Sequence, residues 1–127
     1  MKYLRWLPAL CVAGLIFFFS SQPKLDKFDP MGVLTWDKAV HFIAYFVLAA
    51  AVFYAVKRTK NEQTKVFILT ALYGASDEIH QSFVPGRSCD GLDLAADCCG
   101  ALLLMASIYI WRLINERRKK GTAGSGT

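Results

Sequence analysis

The apolar residues of this chain fall in blocks about as long as a helix needs to cross a bilayer, separated by short polar stretches. A spanning helix takes about 20 predominantly apolar residues. Trp6 to Ser20 is almost wholly apolar, and comparable runs end at Val56, begin at Val66 and close near Ile114. Backbone polar groups in hydrocarbon must be satisfied within their own segment, so such blocks read as helices. At 127 residues the chain is one domain, and 54% hydrophobic residues with a mean hydropathy of +0.31 exclude an ordinary small soluble domain. The pattern predicts an all-α, integral membrane four-helix bundle with helices at about 4–21, 38–56, 66–83 and 91–114. Residues 1–121 form the expected domain, and the Gly/Ser/Thr-rich segment 122–127 reads as a linker or tag remnant.

The cations predict the topology. The N-terminus, the 57–65 loop and the C-terminal end from Arg112 onward carry two, four and five of them, 11 of the 15 in the chain. With four spans these regions share one side, and the positive-inside rule makes it the cytoplasm. Both termini are then cytoplasmic. Eight of the ten acids fall on the opposite, outer half. The Phe17-Phe-Phe-Ser-Ser-Gln22 end lacks a small-x-small cleavage pattern, so the first block reads as a retained helix rather than a signal peptide. Gln22 to Trp36 is a connector broken by Pro23, Pro30 and Gly32. The basic residues lack the interleaved aromatics of a nucleic-acid module. Cys11, Cys89, Cys98 and Cys99 have no Cys-x-x-Cys spacing, and all but Cys89 fall in expected helices as small apolar packers.

The stretch from Tyr73 to Gly100 breaks the apolar pattern. It packs Asp77, Glu78, His80, Gln81, Arg87, Asp90, Asp93 and Asp97 between two long apolar runs. Ionisable groups at a membrane are costly and mark a working site by default. In the predicted topology the start of the second helix and the end of the third meet the start of the fourth at the outer surface. Asp37, His41 and Tyr45 are spaced four apart on one face of the second helix, and Tyr73, Asp77 and Gln81 likewise on the third, where His80 falls on the flank. Asp93, Asp97 and Gly100 share a face of the fourth, and Gly100 allows a neighbouring helix to approach closely. Asp90 reads as the cap of that helix. Val84-Pro85-Gly86 predicts a tight turn. Arg87 is the obligate cation expected among these acids, pairing with Glu78 or Asp93 and, through its planar fork, with an anionic ligand.

Such a cluster at headgroup depth has two chemical uses. His41, Glu78 or Asp93 can move protons in hydrolysis or group transfer. Alternatively the carboxylates, Asp93 and Asp97 first among them, hold a divalent metal ion that receives a phosphate, with His41 shifting the preference toward zinc or manganese. A third reading leaves the charges as hydrogen-bond glue between helices.

Three motifs together, Asp37-Lys-x-x-His41 with Tyr45, Asp77-Glu78-x-x-Gln81-x-Phe83-x-Pro-Gly-Arg87, and Asp93-x-x-x-Asp97-x-x-Gly100, resemble the VanZ-like family over about residues 36 to 104. The resemblance implies a small multi-helix bacterial membrane protein, associated by family name with glycopeptide resistance, in particular to teicoplanin. It implies Asp37, His41, Glu78, Gln81, Arg87 and Asp93 as motif positions. Position 97 is often Asn in relatives, and Leu104 stands where a second small residue is expected. The expected site has His41, Glu78 and Asp93 as catalytic residues and Arg87, Gln81, Asp37 and Tyr45 as substrate-binding residues. The expected partners are membrane lipids and a lipid-linked envelope precursor or lipoglycopeptide. A non-catalytic accessory protein is the alternative, and a transporter comes third because one bundle is small for alternating access.

Overall fold

A computed structural model describes residues 3–23, 34–57 and 59–123, without the side chains of 34–37 and 122–123. The described residues form a 3-10 turn (Tyr3–Trp6) and four helices: α1 (Leu7–Ser20), α2 (Leu34–Val56), α3 (Glu62–Gln81) and α4 (Gly91–Ala123). Most of the connector between α1 and α2 lies outside the described residues. The bundle is all-α, as the apolar blocks predict.

Helices consecutive in the chain run antiparallel, so α1 and α3 are parallel, as are α2 and α4, which gathers the chemistry at one end. The C-terminal end of α1 meets that of α3 through Ser20 and Asp77. The N-terminal part of α2 meets that of α4 through His41 and Asp97. The other end is basic: Arg112 of α4 pairs with Glu62 at the start of α3, and Arg5 and Lys57 lie over the ring of Tyr54. We refer to these as the polar end and the basic end.

Three segments are long and apolar enough to span a membrane: Tyr3–Ser20, Lys38–Val56 and Gly91–Gly121. The segment α3 is not among them, because it carries Lys65, Asp77 and Glu78. Its amphipathicity is reversed relative to a soluble helix. Its buried residues are Val66, Thr70, Gly74, Asp77, Glu78 and Gln81, while Ile68, Leu69, Leu72 and Ile79 point outward. A helix with its polar stripe inside and its oily stripe outside suits a bundle in lipid. The same holds elsewhere on the surface, where Leu10, Phe18, Phe19, Ile43, Leu102 and Trp111 are all exposed.

Two boundaries differ from the sequence expectation. The helix α3 begins four residues earlier, at Glu62, after Asn61 takes a left-handed conformation (φ 56°) to turn the chain. The helix α4 runs on past Ile114 to Ala123 and takes in the first two residues of the expected remnant. Arg117 to Lys120 explain the extension: they have high helix propensity and lie near the negative end of the helix dipole. Asp90 caps α4 as expected, its Oδ1 accepting from the Leu92 amide at 2.8 Å. The turn into Arg87 also forms, with Gly86 at φ 76° and the Arg87 amide donating to the Val84 carbonyl at 3.1 Å.

The core centres on α2, whose Tyr45, Leu48, Ala49 and Val52 pack with Ile16, Val66, Ala101 and Leu104. Its most extensive contact is with α4. There Gly100 lets the two backbones touch: a Cβ at this position would come within 2.4 Å of the Phe42 carbonyl oxygen and 2.9 Å of the Phe46 amide. No side-chain motion relieves a clash with backbone, so the helices would have to separate. Gly100→Ala is therefore expected to destabilise the bundle by about 1–3 kcal/mol, the range for overpacked cores. Gly14→Ala, which meets nothing within 4 Å, is expected to be neutral or stabilising. Thermal unfolding of the two detergent-purified variants checks both.

Candidate functional site

Two networks occupy the polar end. The first ties α1 to α3. Asp77 Oδ2 accepts from Ser20 Oγ at 2.8 Å and from Gln81 Nε2 at 3.1 Å, and Gln81 Oε1 accepts from Arg87 Nη1 at 3.2 Å. Arg87 also donates through Nε to the Gln22 carbonyl at 2.9 Å and through Nη2 to the Phe19 carbonyl at 3.3 Å. It thus closes the C-terminal end of α1, where backbone carbonyls lack helical partners. On the flank, His80 stacks on Phe17 and lies 3.0 Å from Ser21 Oγ through Nε2. Tyr73 donates to the Ala13 carbonyl at 2.6 Å.

The second network joins α2, α3 and α4 around His41. Its Nδ1 lies 3.0 Å from Asp97 Oδ1 and its Nε2 lies 3.9 Å from Asp93 Oδ2. With Asp97 ionised, Nδ1 carries the proton of that contact, which leaves Nε2 facing Asp93. Lys38, one turn before His41, reaches both Asp90 and Asp93. Glu78 Oε2 accepts from the Asp90 amide at 2.8 Å. These groups are deeply placed: His41 is 8% exposed, Asp93 4%, Glu78 2% and Asp97 0%. Among the described residues, Glu78 Oε1, Asp97 Oδ2 and the Tyr45 hydroxyl are buried without a hydrogen-bond partner. His41, Glu78 and Asp93 bring one potential ligand atom each within 4.8 Å of one another.

Gly74 on α3 makes room for this network. A Cβ there would lie 3.0 Å from Asp97 Oδ2 and 3.2 Å from Tyr45 Cε1. Beside the network an apolar groove of about 330 Å³ runs between α1 and α2. Val12, Leu15, Val40, Ala44 and Val47 line its walls, and Ser20, His41, Tyr45 and Arg87 border it as well.

A protein-family model, VanZ/LLP1, matches residues 5–113. The chain belongs to the VanZ/LLP1 family. Neither a search of curated proteins nor a search of solved structures returned a match. Together with the three candidate spans, family membership makes this VanZ-family chain a membrane protein.

The structure brings His41, Glu78, Asp93 and Asp97 together, with Tyr45 stacked on His41, and places Gln81 and Arg87 in the α1–α3 network. Gln81 is 2% exposed and hydrogen-bonded to Ser20, Asp77 and Arg87 within the α1–α3 network. Tyr45 borders the groove, but its hydroxyl is buried. Asp37 lies in the first turns of α2, and its side chain is outside the described residues. Arg87 reaches Gln81 and two carbonyls rather than the expected Glu78 or Asp93. Backbone acceptors at a helix end outcompete the carboxylates because Arg87 sits in the turn directly beneath them. Asp97 Oδ1 lies against His41 Nδ1, and the trio with ligand atoms within 4.8 Å of one another is His41, Glu78 and Asp93.

The sequence reading missed Lys38 and Ser20. Lys38 is three residues from His41 and shares its face, but the four-residue spacing of Asp37, His41 and Tyr45 drew the emphasis. Ser20 had no signal beyond its place at the end of an apolar run. Arg87→Lys keeps the charge and loses the fork that reaches three acceptors. It is expected to cost about 1–3 kcal/mol, the range for charge-assisted hydrogen bonds. Thermal unfolding, with disulfide trapping between α1 and α3, checks it: the crosslink yield should fall with the stability.

Proposed function

We infer that this VanZ-family protein sits in the bacterial cytoplasmic membrane with both termini inside and the polar end at the outer surface. There it recognises or modifies a lipid-linked or lipid-anchored envelope molecule. The supporting observation is the adjacency of an apolar groove and a polar cluster: the groove between α1 and α2 ends beside His41, Ser20 and Arg87. Such a groove suits a chain of CH₂ groups, each worth about 0.8 kcal/mol when buried, with the polar head of the same molecule at His41. Teicoplanin, after whose resistance the family is named, carries an acyl chain, and lipid-linked wall precursors share that amphiphilic plan.

The chemistry this supports is hydrolysis or group transfer. His41 Nε2 takes a proton from water or a substrate hydroxyl, and Asp97 holds the ring and stabilises the imidazolium that forms. Asp93 receives the charged edge of the ring, and Lys38 keeps Asp93 in place. A purely structural role is favoured for Asp77, Gln81 and Arg87 by their mutual hydrogen bonds. It accounts less well for the His41 side, where Glu78 Oε1, Asp97 Oδ2 and the Tyr45 hydroxyl lack partners among the described residues, whereas the Asp77 side leaves Asp77 Oδ1.

Two experiments test this reading. A lipoglycopeptide with a photoreactive acyl chain should crosslink to the protein in nanodiscs. Ala44→Phe, which fills the groove, is expected to cut that labelling about tenfold, the effect of some 1.4 kcal/mol of lost binding. His41→Gln should leave labelling intact and remove resistance, with a rate loss of about 10²-fold or more for a lost general base. Equal labelling of wild type and Ala44→Phe rejects the groove. For the topology, Cys89 is exposed and free, so a membrane-impermeant maleimide should modify it in intact cells. Protection of Cys89 until the cells are opened would reverse the assigned orientation.

A further inference from the structure

Around the space shared by α2, α3 and α4, three side chains each have one atom tied back into the bundle and one left over. His41 engages Asp97 through Nδ1 at 3.0 Å, leaving Nε2 facing Asp93 Oδ2 at 3.9 Å, beyond hydrogen-bond reach. Asp93 gives its other oxygen, Oδ1, to Lys38. Glu78 gives Oε2 to the Asp90 amide at 2.8 Å, and its Oε1 has no partner among the described residues although the residue is 2% exposed. A buried carboxylate oxygen without a donor costs free energy that a bound cation recovers.

We propose that His41, Glu78 and Asp93 form a binding site for one divalent transition-metal cation of the zinc or manganese type. The donor set argues for that class. Calcium and magnesium favour all-oxygen shells, whereas an imidazole shifts the preference toward zinc or manganese. Ligands in a tetrahedral zinc site stand roughly 3.3–3.5 Å apart, given bonds of about 2.0–2.2 Å. The trio, now within 4.8 Å, reaches that spacing by closing about an ångström. Three protein ligands leave a fourth position for water or a ligand oxygen. Asp97 is the outer carboxylate that fixes the imidazole of a metal-bound histidine, and Lys38 and the Asp90 amide do the same for the two carboxylates.

Charge points the same way. Among the described residues the polar end holds Asp77, Glu78, Asp90, Asp93 and Asp97 against Lys38 and Arg87, and Arg87 is directed at Gln81 and backbone carbonyls. A dication offsets the excess where the bundle is dry.

The proposal concerns the same site as the lipid reading but needs no substrate, so binding is read on the protein alone. With an ion on His41 Nε2, the water in its open position would supply the base that His41 supplies without it. Tag-free protein in detergent, stripped with chelator, is titrated with zinc chloride and separately with manganese chloride, and bound metal is counted by mass spectrometry. One ion per chain is expected. H41Q and E78Q should each weaken binding at least about 100-fold, and D97N about 10–100-fold. H80Q, whose ring packs on Phe17, should bind as wild type. Should E78Q or H41Q misfold, cobalt(II) in the wild-type protein gives the answer: a visible absorption band of a four- or five-coordinate ion that zinc abolishes. Absence of that band, no bound ion, or unchanged binding in folded H41Q and E78Q overturns the proposal.

Discussion

The helices α2 and α4 meet backbone to backbone at Gly100, and that contact sets the register of the polar end. The Phe42 carbonyl sits against Gly100. His41 precedes Phe42, and Asp97 is one turn before Gly100. Once the backbones interlock at this point, the imidazole faces Asp97, and Asp93, one turn further along, reaches the other side of the ring. A helix pair held apart by larger residues would slide and rotate more freely, and a 3.0 Å contact between His41 and Asp97 would not be fixed. Gly74 plays the same part on α3, making room for Asp97 and Tyr45 where a larger residue would press on both. Two small residues, neither of them reactive, thus decide where the reactive ones stand.

Burial then sorts the charges into two kinds. The acid Asp77 is held by Ser20 and Gln81, with Arg87 closing the chain of bonds onto the end of α1. This arm behaves as a clasp between the two helices, beside the Tyr73 bond to the Ala13 carbonyl and the Ser21–His80 contact. Each arm leaves buried carboxylate oxygens without a partner among the described residues, Asp77 Oδ1 on the first and Glu78 Oε1 and Asp97 Oδ2 on the His41 arm. In a soluble protein water would fill that role at little cost. In a membrane bundle a polar atom left over is expensive, and its persistence points to something that visits the site.

Much of this was legible in the sequence because helical spacing fixes faces. The spacing puts Asp93, Asp97 and Gly100 on one face of α4, and Asp37, His41 and Tyr45 on one face of α2. The cap at Asp90 and the turn at Gly86 follow from local backbone chemistry, which neighbours in sequence determine. What was not legible depends on reach. Lys38 has a long flexible stem and finds Asp90 and Asp93 only once α4 is in place. Arg87 chose backbone carbonyls, which carry no residue-type signal. The pairing of Asp97 with His41, rather than with a metal, turns on a rotamer and not on a spacing. Hydropathy likewise misjudges α3, because a helix with its oily side outward and its acids inward averages to neither a spanning nor a soluble value.

The unbroken length of α4 has a mechanical consequence. Its 33 residues span about 50 Å at 1.5 Å each, and no proline interrupts them. One stiff rod therefore carries Asp93 and Asp97 near one tip and the Arg117–Lys120 cations near the other. A partner or an anionic surface that pulled on the charged tip by an ångström would shift the two carboxylates by a similar amount. The rod would act as a pushrod, able to report on one face of the membrane what grips it on the other.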